Sequence, residues 1–264
     1  MQKLALPTVT LCAAASVNVK VTIDALTTCL QQVDFAECLL FTDVDVGAIN
    51  PLIHVVPINR LRSASDYSFF VLKRLHQYIE TQHCLLVQWD GFVTNATSWN
   101  PDFLAFDYIG APWPQFLDGR NVGNGGFSLR SRKLLEACAD DRFRPSHPED
   151  LAICHANRSF LESEFDIRFA DVTVAEQFSF ERTPPSTPTF GFHGIFNMIP
   201  VLGRNQFWDL YRVLDDRDTV RLDYGLMMRQ LGLGPTALVR QFRLTTDMMK
   251  LVLRRSDRGA DQAT

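Results

Sequence analysis

Four short segments of this 264-residue chain carry residue types that do chemistry. In Gln88-Trp89-Asp90-Gly91, the aspartate directly follows the apolar run Leu85-Leu86-Val87. That places it at the carboxyl end of an expected parallel strand, where open α/β sheets bind their ligands. A carboxylate there, with a glycine behind it that permits close approach, can hold a divalent cation bound to a diphosphate. It can equally cap the following turn. In Val122-Gly123-Asn124-Gly125-Gly126-Phe127-Ser128-Leu129-Arg130, three glycines expose backbone amides ahead of a strand-like segment. The spacing is neither G-x-G-x-x-G nor a P-loop, so dinucleotide and P-loop nucleotide sites are excluded. A tight turn is the other reading of those glycines. Pro148-Glu149-Asp150 opens a helix. Consecutive helical residues point about 100° apart. One acid is therefore expected to face a cleft as a general base for a hydroxyl, while the other complements the helix dipole. His193, in Phe190-Gly191-Phe192-His193-Gly194, presents an imidazole at a glycine-flanked turn, suited to a Mn²⁺-type site or to hydrogen bonding. His147 and His155 have the weaker case.

These residues need a scaffold, and the hydrophobic pattern supplies one. Thr8–Ala14, Cys38–Thr42, Ile53–Val56 and Cys84–Gln88 are short apolar runs bounded by polar or Pro/Gly punctuation, as expected of core strands. Between them, residues 19–31 and 65–81 have helical periodicity, with Phe69, Leu72, Leu75 and Ile79 on the second helix's apolar face and Ser65 or Asp66 as its cap. Strand–helix alternation predicts an α/β domain with a mixed, mostly parallel sheet flanked by helices. Residues 89–126 read as long loops, the usual carriers of function. Helices are expected from Arg132 to Ala139 and from Pro148. After the Pro-rich connector 183–188 comes a helical tail with Phe207, Leu210, Tyr211 and Leu214 on one face. The division expected is a domain of residues 1–200 and a helical extension of 201–264.

Composition narrows the function classes. A net charge of -4 and 21% charged residues argue against a nucleic-acid binder, whose affinity rests on clustered Lys and Arg. Cys12, Cys29, Cys38, Cys84, Cys138 and Cys154 lie mostly in apolar runs without C-x-x-C spacing, which predicts reduced core thiols and a cytoplasmic protein. The apolar stretch Leu4–Ala15 imitates a secretory signal, but Pro7 interrupts it and a buried first strand is expected instead. No run approaches the roughly 20 apolar residues of a membrane span. Between Arg240 and Arg258, six basic residues face only Asp247 and Asp257. A helix there bearing Leu244, Met248, Leu251 and Val252 can either lie peripherally on an anionic membrane or stand solvated.

Together, Gln88-Trp89-Asp90-Gly91-Phe92, Asp107-Tyr108-Ile109-Gly110-Ala111-Pro112-Trp113, the glycine segment, Pro148-Glu149-Asp150 and Phe190-Gly191-Phe192-His193-Gly194 resemble a bacterial domain family of unassigned function grouped with GT-A-fold glycosyltransferases. The resemblance spans residues 6–200. It implies a nucleotide-sugar donor, a glycan or glycolipid hydroxyl as acceptor, work on cell-surface polysaccharide, and Mn²⁺ or Mg²⁺ as cofactor. By the same resemblance, Ala14 to Ser16 meet the nucleoside, and Gln88, Trp89, Asp90 and Gly91 meet the donor, with Asp90 last in the D-x-D register. Trp113, Asn124, Gly125 and Gly126 line the donor–acceptor cleft. Asp150 or Glu149 is the acceptor base, as in inverting families, and Asp90 and His193 are metal ligands. Aromatic residues such as Trp89, Trp99, Trp113 and Phe192 can stack on sugar faces. The chain departs from the family's pattern at Gln88, which stands where the first acid of D-x-D belongs. That departure favours a rival reading, a non-catalytic nucleotide- or sugar-binding module, and the same acids also suit a metal-dependent hydrolase.

Overall fold

The computed structural model describes residues 2–261, with side chains to residue 253. The chain forms two compact units, one ending at His193 and the next beginning at Gly194.

The first unit is built on a six-stranded sheet. The strands are β1 (Leu4–Ala14), β2 (Val33–Thr42), β3 (His54–Pro57), β4 (His83–Val87), β5 (Tyr108–Ile109) and β6 (Phe127–Ser131), in the spatial order β3-β2-β1-β4-β6-β5. β1 to β4 run parallel to one another, while β6 runs antiparallel to β4 and β5 to β6. The sheet is therefore mixed and mostly parallel, as the alternation of apolar runs and helices predicts. All four expected strands are present. β4 and the carboxyl half of β1 are buried throughout, which is why they read as continuous apolar runs rather than alternating ones. All six cysteines are buried and unpaired.

Helices α1 (Val19–Gln32) and α2 (Ala64–Lys73) join the early strands. α2 is shorter than its periodicity suggests. Ser63, not Ser65 or Asp66, caps it by accepting from the Asp66 amide, and after Arg74 the chain tightens into a 3₁₀ turn at Leu75–Gln77. Phe69 is correspondingly 50% exposed, because the face that packs on the sheet carries Phe70, Val71, Leu75 and Ile79 against Phe41, Leu39 and Leu86. Downstream come α3 (Arg132–Ala139) and α4 (Glu149–Leu151), which runs into a wider π turn at Ala152–Ala156. Then follow α5 (Arg158–Phe165), α6 (Val172–Phe178) and a small parallel pair, β7 (Ser179–Phe180) and β8 (Gly191–Phe192).

Strand order determines where this unit can bind a ligand. The chain steps from β1 outward to β2 and β3, then returns to place β4 on the other side of β1. A crevice opens at such a reversal, beyond the carboxyl ends of the two diverging strands. Cys12 pairs with Leu86, so two residues further along lie Ala14 on one side and Gln88 on the other. The loops carrying Ser16 and Asp90 leave the sheet at this point.

The second unit is helical: α7 (Ile195–Leu202), α8 (Arg204–Val213), α9 (Val220–Leu231) and α10 (Ala237–Asp261). Phe207, Tyr211 and Leu214 are buried as their spacing predicts, and the Tyr211 hydroxyl donates to Asp247 at 3.1 Å. The apolar face expected on the last helix is corrected. Leu244 is fully buried and Met248 and Leu251 are half-buried, because that face packs within the unit; of the four, only Val252 is exposed. The side chains of Arg254, Arg255, Asp257 and Arg258 lie outside the described residues. None of the described helices is long and apolar enough to cross a membrane.

Candidate active site

Past β4, the chain turns sharply, with the Gly91 amide donating to the Gln88 carbonyl at 3.1 Å. This turn buries Asp90 to 4% exposure. The parallel pairing of β7 with β8 matches Phe180 with Phe192, so the next residues on each strand, Glu181 and His193, come side by side. His193 is the centre of the resulting cluster. Its Nε2 lies 3.2 Å from Asp90 Oδ1 and 3.3 Å from Gln88 Oε1, and its Nδ1 lies 3.5 Å from Glu181 Oε1 and 3.1 Å from the Asn124 carboxamide nitrogen. Burial disfavours the charged imidazole, but the carboxylates of Asp90 and Glu181 outweigh it and raise the pKa to about 10. Glu181 is held below the usual carboxylate range: burial pushes it up, and His193, Arg182 and Asn124 pull it further down.

Asp90, Gln88 and His193 are the residues that could hold a cation here. Asp90 Oδ1 is buried, and His193 Nε2 at 3.2 Å is the charged group it faces. A carboxylate oxygen, an imidazole nitrogen and a carboxamide oxygen facing one point form a donor set for Mn²⁺ or Mg²⁺. At neutral pH His193 is an imidazolium, so a cation would bind at Nε2 only by displacing its proton. Glu181 on the far ring nitrogen matches the carboxylate–histidine pairing that orients metal-binding imidazoles. Among the described residues, no group of three or more His, Cys, Asp or Glu side chains is placed to hold a metal ion, so a cation here would draw its other ligands from a bound phosphate and water. An open set of this kind leaves coordination positions for phosphate oxygens and water.

The glycine segment ties this cluster to a second one. The Gln88 amide donates to the Gly126 carbonyl at 2.8 Å, and a methyl group at Gly126 would overlap the His193 ring. On the other side, the Gly125 amide donates to Asp150 Oδ2 at 3.0 Å, and a methyl at Gly125 would strike the Glu149 carboxylate. Glycine is required at both positions because side chains press on the backbone from both sides. Asn124, between the turns, adopts φ 59°, a left-handed conformation that Asn tolerates better than most residues. Gly126→Ala is therefore expected to push His193 away from Asp90. The variant should stay folded, by circular dichroism, yet its His193 should titrate well below about 10 in NMR, because the ring has lost the Asp90 charge.

Glu149 and Asp150 have separate environments. Glu149 is buried against the fully buried Arg130, with Nη2 to Oε1 at 3.2 Å. Arg130 also donates to Ser128 Oγ at 2.9 Å and lies over the Tyr108 ring, 5.4 Å from its centroid. Asp150 is only half-buried by surface area and keeps access to solvent. Burial, then the neighbouring Glu149 charge, raise its pKa to about 6, against hydrogen bonds from the Gly125 and Leu151 amides and the charge of Arg130. A half-buried carboxyl titrating near neutrality is suited to proton transfer, whereas one locked to a buried guanidinium is not.

Of the residues singled out from sequence, Gln88, Asp90, Gly91, Asn124, Gly126 and His193 come together, and Gly125 bridges to Asp150. Ala14 ends β1, while Ser16 Oγ accepts from the Leu61 amide at 2.9 Å and anchors the segment after β3. Trp89 is half-buried in the turn beside Asp90. Trp113 is 5% exposed, lying over Gly123 and against Phe116 and His155. It also contributes to a cavity of about 240 Å³ whose lining includes Asn121, Glu176, Phe180, Glu181 and Thr183. Sequence reasoning missed Glu181 and Arg130. Glu181 has no motif around it and reaches the site through strand register. Arg130 had a signal, an arginine in an otherwise apolar and small-residue strand, which predicts a buried partner of opposite charge.

The family model described as a protein of unknown function (DUF5672) matches residues 52–193, more than half of the chain. No curated protein matches the sequence. Among solved structures, the mannosyltransferase PcManGT from Pyrobaculum calidifontis, in complex with GDP-Man and Mn²⁺, is 10% identical with a TM-score of 0.42, over 100% of this chain and 84% of that one. The apo-form glycosyltransferase GlyE of Streptococcus pneumoniae TIGR4 is 13% identical with a TM-score of 0.44, over 85% of this chain and 64% of that one. HddC from Yersinia pseudotuberculosis is 14% identical with a TM-score of 0.34, over 51% and 81%.

Proposed function

The chain belongs to the DUF5672 family of unknown function, and from that premise we propose that it is a GT-A-type glycosyltransferase that moves a sugar from a nucleotide-sugar donor to a hydroxyl of a glycan or glycolipid. The observation that carries this reading is the meeting of Asp90, Gln88 and His193 beyond the carboxyl ends of β1 and β4, with the glycine segment linking them to Asp150. The motif resemblance supports it independently.

Asp90, His193 and the Gln88 carboxamide would hold a divalent cation, with Glu181 and Asn124 fixing the imidazole from behind. Bound there, the cation supplies charge neutralisation for a departing nucleoside diphosphate. Asp150 takes the proton of the acceptor hydroxyl as that oxygen bonds to the anomeric carbon and the carbon–phosphate-oxygen bond breaks. A single displacement of this kind inverts the anomeric centre. Glu149 and Arg130 do not touch the reacting atoms; they hold Gly125 and Asp150 in place. Trp113 and the cavity beside Glu181 offer an aromatic and polar wall for the acceptor.

Thermal unfolding against a panel of nucleoside diphosphates and nucleotide sugars, with and without Mn²⁺, tests the site. A ligand at a hundred times its Kd should add about 2.7 kcal/mol, roughly 5 °C for a chain of this size. The shift should require Mn²⁺ and vanish in Asp90→Asn. Absence of any shift at saturating donor would remove the nucleotide-sugar reading. Gln88 in the place of an acid favours a second reading, a binding module without turnover. In that case the shift appears but no nucleoside diphosphate is released when acceptors are supplied.

A further inference from the structure

Helix α10 is apolar on two faces. One carries Leu244 and packs within its own unit. The opposite face carries Leu238, Phe242 and Met249, exposed by 82%, 74% and 62%. At about 100° per residue these three fall within roughly 40° of one another. Val239 and Val252, also exposed, flank the stripe. A soluble surface does not ordinarily line up large apolar side chains this way, and a continuous exposed patch marks an interaction site.

Charge identifies the partner. From residue 220 to 253 there are five basic side chains and two acidic ones. Both acids, Asp223 and Asp247, are buried. Asp247 is occupied by the Tyr211 hydroxyl and by Arg243 at 3.1 Å, which spends that arginine's charge, while Arg229 and Lys250 reach solvent. α9 and the described part of α10 therefore present positive charge with no exposed carboxylate. Arg243 and Lys250 lie along one edge of the apolar stripe, about 80–140° round the helix from it. Leucine, phenylalanine and methionine bordered by Lys and Arg match an anionic bilayer surface, where the apolar groups enter the acyl boundary and the cations meet headgroup phosphates. A second copy of the chain would bring like charges together.

We propose that the Leu238–Phe242–Met249 face of α10, with Lys250 at its edge, docks the protein peripherally on anionic lipid. This differs from the membrane face expected from sequence, whose Leu244 is buried, and it does not depend on the glycosyltransferase reading. The test is sedimentation of the full chain with vesicles of phosphatidylcholine alone and of phosphatidylcholine mixed with phosphatidylglycerol. Binding is expected only to the mixed vesicles and should weaken as salt rises. Leu238→Ser/Phe242→Ser should abolish it, and Lys250→Gln should weaken it about fivefold, the effect of one charge. All three positions are exposed, and an unchanged melting temperature checks that the variants fold. Absence of binding to mixed vesicles, or equal binding by Leu238→Ser/Phe242→Ser, would overturn the proposal. So would a concentration-dependent dimer in light scattering that Phe242→Ser dissociates.

Discussion

Asp150→Asn is expected to lower the turnover of sugar transfer by roughly 10²–10⁴-fold, the usual contribution of a positioned general base, while leaving donor affinity unchanged. The amide retains an oxygen to accept from the Gly125 amide, so the loop keeps that anchor, while the capacity to take a proton and the bond from the Leu151 amide are lost. The wild-type pH profile provides an independent check. Asp150 works as a base only when ionised, and its pKa lies at about 6 because burial and Glu149 raise it. kcat/KM should therefore fall as pH drops through about 6 and be flat above it, until another group titrates. Glu149→Gln removes a like charge and should move the midpoint down, whereas Arg130→Met removes an opposing charge and should move it up. A rate assay on nucleoside diphosphate release, run on all four proteins, measures these effects. An Asp150→Asn protein with wild-type turnover would transfer the base assignment elsewhere.

The second large effect is on stability. Arg130 has no exposed surface and its partner Glu149 very little, so removing either one leaves a buried charge uncompensated, at a typical cost of about 3–5 kcal/mol. Arg130→Met should lose about that much in urea unfolding and lower the melting temperature by roughly 5–10 °C. The double variant Arg130→Met/Glu149→Leu should recover much of the loss, because two apolar side chains of similar volume need no charge partner. Its core would then be sound but its glycine segment less well held, since Arg130 Nη2 also reaches the Gly125 carbonyl at 3.4 Å. Strictly additive losses in the two single variants and the double would show that the pair is not coupled.

The parts of this protein legible in its sequence are those set by local periodicity. β4 and the carboxyl halves of β1 and β2 announce themselves because both sheet faces are covered there, which makes each a run of apolar residues rather than an alternation, whereas the edge strand β3 is largely exposed. The strand-end position of Asp90, the glycine segment and the helix start at Glu149 could be read for the same reason: each depends on neighbours a few residues away. The apolar face of α2 was misread at Phe69, where three- and four-residue spacing allows adjacent faces and packing against Phe41 and Tyr78 selects the one with Phe70. The length of that helix was likewise decided at a distance, where Lys73 is tied to the Asp140 carbonyl at 2.9 Å.

Sequence alone also left open which of Glu149 and Asp150 is free to act, because local geometry says only that the two diverge. Arg130, on the strand β6, decides it by pairing with Glu149. Gln88 and His193 meet across 105 residues, and Glu181 joins them through the register of two short strands that carry no sequence signal of their own. The residue types at Asp90, Gly126 and His193 thus point to the chemistry proposed for the chain. Their assembly depends on strand order, because only the reversal between β1 and β4 opens a crevice at the end of the sheet where those types are found.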